Sequence, residues 1–106
     1  MVFRDKYSED DIEKVIRDIS KKDSARVFFY PAVDIRFLEE YDLSSIDIIR
    51  ILREGTVVRC SVAPTKTELK VSVKFNFRNS SAFELSCWMD LKDNIHLADI
   101  NIIQEV

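Results

Sequence analysis

The sequence predicts an α+β fold, with two to three N-terminal helices packed on one face of a four-stranded antiparallel β-meander. Three observations predict it. Apolar residues recur at helical spacing in the first half of the chain, as in Ile12, Val15, Ile16 and Ile19. The period changes to two after Gly55, the one glycine present. Leu69 to Phe77 then alternates without a break, placing Leu69, Val71, Val73, Phe75 and Phe77 on one side of a strand and Lys70, Ser72, Lys74 and Asn76 on the other. At 106 residues and 46% hydrophobic content the chain can bury one core without staples, so a single domain spanning 1–106 is expected.

Ser8-Glu9-Asp10-Asp11 opens the first helix: a Ser hydroxyl can accept from an early backbone N–H, and acids suit the positive end of the dipole. Lys21 and Lys22 close it, since cations suit the other end. Arg26-Val27-Phe28-Phe29-Tyr30 precedes Pro31 and is expected to be a short extended segment. Pro31 suits the first position of a second helix running through Ala32, Val33, Ile35, Leu38 and Tyr41, with Asp34, Arg36, Glu39 and Glu40 more exposed. Ser44-x-x-Asp47 is a capping-box variant that starts a third helix through Ile46, Ile48, Ile49, Ile51 and Leu52. Its many β-branched residues are mediocre helix formers, so the caps decide the assignment. Gly55 is expected to end that helix in the left-handed conformation.

From Thr56 to Val62 a first strand places Val58, Cys60 and Val62 on the core side. Ala63-Pro64-Thr65-Lys66-Thr67 turns it into the Leu69 strand, and Arg78-Asn79-Ser80-Ser81 turns that into the next. Phe83, Leu85, Cys87, Met89 and Leu91 then alternate with Glu84, Ser86, Trp88 and Asp90. Two such strands joined by a short polar turn form an antiparallel pair with one buried and one open face. The last strand, from about Asn94 to Ile103, has two possible registers. A two-residue Asp93-Asn94 turn puts His96, Ala98, Ile100 and Ile102 on the core side; a bulge near Asp99 instead reconciles Ile95 and Leu97 with Ala98, Ile100 and Ile102.

The net charge is −3, and residues 1–55 hold ten Lys/Arg against thirteen Asp/Glu while the remainder holds six of each. Without a basic excess, generic coating of DNA or RNA is disfavoured. Cys60 and Cys87 are expected to be buried free thiols, because they sit on apolar strand faces and lack metal or redox spacing. The N-terminus is too charged for a signal peptide and no apolar run approaches the ~18 residues of a membrane span, so a cytoplasmic protein with no membrane partner is expected.

The face left open carries Arg59, Lys70, Lys74, Glu84 and Trp88, the candidate contact residues. Cations there can meet phosphates and Trp88 can stack on a base, or the same Trp88 can anchor a protein partner. The plainer alternative pairs Lys70 or Lys74 across the strands with Glu84 or Asp90. Glu9, Asp10, Asp11 and Glu13 either serve the helix start or imitate phosphate toward a basic partner. Glu39-Glu40 and Asp90-Asp93 lack metal-ligand spacing with His or Cys, so no metal and no cofactor are expected. Either outer strand, Thr56–Val62 or Asn94–Ile103, can pair with a second copy.

The order Leu38…Leu43-Ser44-x-x-Asp47-Ile48-x-x-Ile51-Leu52-x-x-Gly55-x-Val57-Val58, with a final Ile100-x-Ile102-Ile103 run, resembles the small bacterial domains related to RelE- and MqsR-type toxins over roughly residues 28–103. The resemblance implies helices followed by an antiparallel sheet whose open face binds and cleaves messenger RNA. Relatives carry a His-Ala pair and then two Arg residues before the Leu-Ser turn; here those places hold Val33 and Asp34, then Phe37 and Tyr41, and Arg36 is off register. RNA cleavage without metal needs a base, an acid and cations on the developing phosphorane charge. The sequence therefore leads to a non-enzymatic protein-binding member of that fold. The alternatives are a metal-independent ribonuclease toxin of a type II toxin-antitoxin pair, using Lys74, His96 and Arg59, and an acidic inhibitor that mimics nucleic acid.

Overall fold

A computed structural model describes residues 2–4, 6–77 and 81–104, the side chain of Gln104 excepted. Among them run α1 (Glu9–Lys22), a 3-10 turn (Ser24–Arg26), β1 (Val27–Phe28), α2 (Pro31–Tyr41), α3 (Ser45–Glu54), β2 (Thr56–Val62), β3 (Leu69–Asn76), β4 (Ala82–Met89) and β5 (Ile95–Gln104). The class is α+β. The sheet, however, has five strands in the order β1-β5-β4-β3-β2 and is mixed, not a four-stranded antiparallel one. The addition is β1, which pairs parallel to β5 in the register Val27↔Ile95 and Phe28↔His96. Two residues squeezed between a 3-10 turn and Pro31 are too few to show a period, so only the partner strand defines them.

Caps hold the helices where the sequence places them. Ser8 Oγ accepts from Asp11 N–H at 3.2 Å, and the Ser44 N–H donates to Asp47 Oδ2 at 2.9 Å. The left-handed residue is elsewhere than expected: Asp42, with φ 56°, ends α2 by donating to the Leu38 carbonyl. Gly55 is extended, with φ −75° and ψ 173°. Its glycine is required for space, because a Cβ there would lie 2.5 Å from the Ile51 carbonyl oxygen and 2.6 Å from Val73 Cγ1.

The core lies between the helices and one side of the sheet. Ile12 and Ile16 of α1, Phe37 of α2, and Ile48, Ile51 and Leu52 of α3 are buried with Leu69, Val71, Val73, Leu85, Cys87, Met89, Ile95, Leu97 and Ile100. Each such side chain contributes about 1.5–3 kcal/mol on leaving water. Helix α2 turns differently from expectation. Val33, Phe37 and Tyr41, spaced four apart, face the core, whereas Ile35 and Leu38 are both 54% exposed. Arg36 reaches over the sheet edge to pair with Asp99 of β5. Cys87 is buried but Cys60, nearer the edge, is only half-buried.

The register shifts at three places, one in β2 and two in β5, the last of them across Ile103 between Phe83↔Ile102 and Ala82↔Gln104. In β2 the register shifts between Val57 and Arg59, so Val57 opposes Val73 in the core and Val58, expected inside, is 38% exposed. In β5 the register shifts across Ala98, with Cys87↔Leu97 followed by Ser86↔Asp99. The bulge alternative therefore holds for Ile95, Leu97, Ile100 and Ile102, which share the core side, but not for Ala98, and the register placing His96 and Ala98 there is excluded. Residues 78–80 of the expected β3–β4 turn lie outside the described residues. On the outer edge of β2, Glu13 Oε1 accepts from the Val57 N–H at 2.8 Å and Arg17 Nη2 donates to the Gly55 carbonyl at 2.9 Å, so α1 caps the start of that edge. Among the described residues no helix is long and apolar enough to cross a membrane.

Candidate functional site

The helices leave the other side of the sheet uncovered, and its residues fall into cross-strand rows. One row is Lys70–Trp88–His96, the next pairs Ser72 with Ser86, and the third is Lys74–Glu84–Asn101. Arg59 extends from β2 across β3 and donates to Glu84 Oε1 at 2.6 Å; its own side chain is 73% exposed and that of Glu84 only 17%. The acids expected to neutralise the lysines are therefore used elsewhere, Glu84 by Arg59 and Asp90 by His96. Among the described residues neither Lys70 nor Lys74 forms an ion pair, and both are exposed.

Trp88 belongs to an aromatic column that crosses the sheet. Its indole stacks on the His96 imidazole with centroids 3.9 Å apart and planes 10° apart. Phe28 covers the imidazole from the β1 side at 5.1 Å and 11°. Tyr30 lies at 5.9 Å and directs its hydroxyl to His96 Nδ1 at 2.5 Å. On the other nitrogen, His96 Nε2 meets Asp90 Oδ2 at 2.9 Å. Asp90 also accepts from the backbone N–H groups of Lys92 and Asn94 and from Asn94 Nδ2. Burial pushes this carboxyl's pKa up, but the hydrogen bonds from His96, Asn94 and Lys92 outweigh it and hold the group well below the usual carboxylate range. An ionised carboxylate only accepts, so Nε2 carries the proton toward Asp90, and in the neutral ring Nδ1 accepts from Tyr30.

The three residues named for RNA cleavage are not brought together. His96 is 9% exposed, stacked between two rings, with both nitrogens engaged. Lys74 stands two rows away, and the Arg59 guanidinium is committed to Glu84. Phe28 and Tyr30 complete the column and were not among the sequence candidates, and Asp90, weighed there as a partner for the lysines, instead holds His96. Their signals were slight: two alternate aromatics before a proline, and an Asp four residues ahead of an Asn in a turn.

A groove of about 420 Å³ runs beside Trp88, lined also by Arg59, Lys70, Ser72, Glu84 and Ser86. His96 covers one face of the indole, and Trp88 also lines this groove. Such a volume falls in the range of sites that hold one small molecule or one large side chain. Among the described residues no group of three His, Cys, Asp or Glu side chains converges to hold a metal ion. No protein-family profile, curated protein or solved structure matches the chain.

Proposed function

We propose that this chain is a small non-enzymatic protein-binding module on a RelE/MqsR-like toxin fold, docking a partner through the open sheet face around Trp88. The observation that carries the reading is the stacked Trp88–His96 pair at 3.9 Å. It holds a large amphipathic side chain in one orientation beside a groove, and a rigid aromatic anchor loses little entropy on binding. The same packing removes the single histidine from reach of a substrate, which disfavours proton transfer by His96 to RNA. Helices preceding a run of antiparallel strands support the toxin-like fold. The acidic start of α1, with Glu9, Asp10 and Asp11, supplies a second charged surface for the partner.

The test combines an activity assay with a binding assay. Purified protein incubated with RNA in EDTA is expected to leave the RNA intact, and Trp88→Ala is expected to release a protein that co-purifies with the unmodified chain. Metal-independent cleavage that His96→Ala and Lys74→Ala abolish would overturn the reading in favour of a ribonuclease toxin. An inert protein from which Trp88→Ala releases nothing, while charge reversal of Glu9, Asp10 and Asp11 does, would favour the acidic mimic.

A further inference from the structure

We infer that the groove beside Trp88 receives an extended acidic segment of the partner, in which one aromatic residue is flanked two positions away on each side by carboxylates. This rests on the protein-docking reading above and specifies what docks. Three features of β3 and β4 carry it.

The first is the spacing of charge. On the open side β3 presents Lys70, Ser72 and Lys74, cation, small residue, cation. The two lysines are four residues apart, roughly 13 Å along a strand. In an extended peptide the side chains two before and two after a given residue share its face and are the same distance apart. An acid-x-aromatic-x-acid segment laid over β3 therefore sets each carboxylate over a lysine that has no ion pair among the described residues.

The second is the groove itself. Ser72 and Ser86 oppose one another across β3 and β4 and line the groove together with the Arg59–Glu84 pair, whose guanidinium crosses β3 beside Ser72. The third is the aromatic column. Phe28 and Trp88 each stack on His96, with planes 11° and 10° from it, and the column ends at Trp88, which lines the groove. A ring entering there extends the stack by one member, in the offset geometry aromatic pairs prefer. An RNA strand is the poorer fit. It repeats a phosphate at every nucleotide, whereas β3 presents only two lysines without an ion pair among the described residues, one on each side of Ser72.

Trp88 is the only tryptophan, so its fluorescence reports the groove directly. The probe is a capped peptide Gly-Glu-Ser-Phe-Ser-Glu-Gly, titrated against the full chain. Its comparators are the same peptide with Lys for both Glu, the peptide with Ala for Phe, and a nine-nucleotide oligo-uridine. The acidic aromatic peptide is expected to shift the emission and saturate. Each altered peptide should bind at least about tenfold more weakly, as should the acidic peptide to Lys70→Glu/Lys74→Glu protein. Binding should weaken between about 0.05 M and 0.5 M salt. Equal binding of the lysine peptide, or no saturable shift with any peptide, overturns the inference. These comparisons use the unmodified protein and so do not depend on any variant folding. A photo-crosslinking residue placed at Ser72 separates the two levels. If it captures the co-purifying partner while Lys70→Glu/Lys74→Glu binds that partner undiminished, the proposed segment is wrong and the docking face stands. Tighter saturation by oligo-uridine than by any peptide overturns both.

Discussion

The indole of Trp88 and the imidazole of His96 lie face to face, 3.9 Å apart and 10° from parallel, on adjacent strands of the uncovered sheet surface. His96 is in turn held by Tyr30 on one nitrogen and Asp90 on the other. Trp88 is thus supported, through His96, by groups from the β1–α2 junction and the β4–β5 turn.

Replacing His96 by Ala opens a gap between Phe28 and Trp88 and strands the Asp90 carboxylate. A loss of about 2–4 kcal/mol is expected, from the void together with the orphaned polar groups. Urea unfolding measures it, and the native tryptophan emission should change as the indole loses its neighbour. A loss below about 0.5 kcal/mol would show that the column does not support the fold.

Asp90 makes stability depend on acid. Its carboxyl pKa is lower in the folded chain than in the unfolded one, despite burial, through the hydrogen bonds from His96, Asn94 and Lys92. The unfolded state therefore binds more protons at low pH. The contribution is fully present well above the unfolded value of about 3.9 and is lost progressively as pH falls through and below it. Asp90→Asn should flatten the acid limb of a stability-against-pH curve; an unchanged limb would place the acid sensitivity elsewhere.

The β2 bulge makes two adjacent valines respond unequally. Val57→Thr buries a hydroxyl against Val73 and should cost about 1–3 kcal/mol, whereas Val58→Thr, on the exposed side, should stay within about 0.5 kcal/mol. Paired thermal melts decide it, and the reverse ranking would move the bulge.

Gly55→Ala should be among the more damaging small substitutions. Both neighbours of the added methyl, the Ile51 carbonyl and Val73, belong to packed elements that cannot yield cheaply. A loss of about 1–3 kcal/mol is expected from overpacking, read from the urea midpoint. A stabilised variant would mean that the α3–β2 junction is looser than its geometry.

The ion pair of Arg36 with Asp99 ties α2 to β5, yet both side chains are more than a third exposed. Solvent screening limits it, so a double-mutant cycle with Arg36→Ala and Asp99→Ala should give a coupling of about 0.2–1 kcal/mol. A larger coupling would point to a role in fixing the helix register.

Much of the candidate surface was legible in the chain. The alternation in β3 and β4 assigned Lys70, Lys74, Glu84 and Trp88 to one side, whereas the register Lys70↔Trp88 and Lys74↔Glu84 came from the structure, because a slip of two residues would keep every side chain on its face. The partners of those side chains were not legible. Glu84 is in register with Lys74 but bonds Arg59, because the long guanidinium reaches across a strand. Helix α2 misled for a related reason. Its apolar residues supply more than one stripe, and only packing on β5 selects Val33, Phe37 and Tyr41 over Ile35 and Leu38.

By itself the sequence determined what is local: the α+β order, the helix starts at Ser8 and Ser44, and the two-faced β3–β4 pair. Each rests on contacts within a few residues or on a repeat of two or 3.6 that the chain carries along its own length. Only the tertiary structure decided the parallel addition of β1 to β5, the bulges at Val58 and Ala98, and the side of the sheet on which His96 lies. Those depend on which strand lies alongside, as when Val27 meets Ile95, and a pairing between residues so far apart in the chain leaves no periodic trace in either segment.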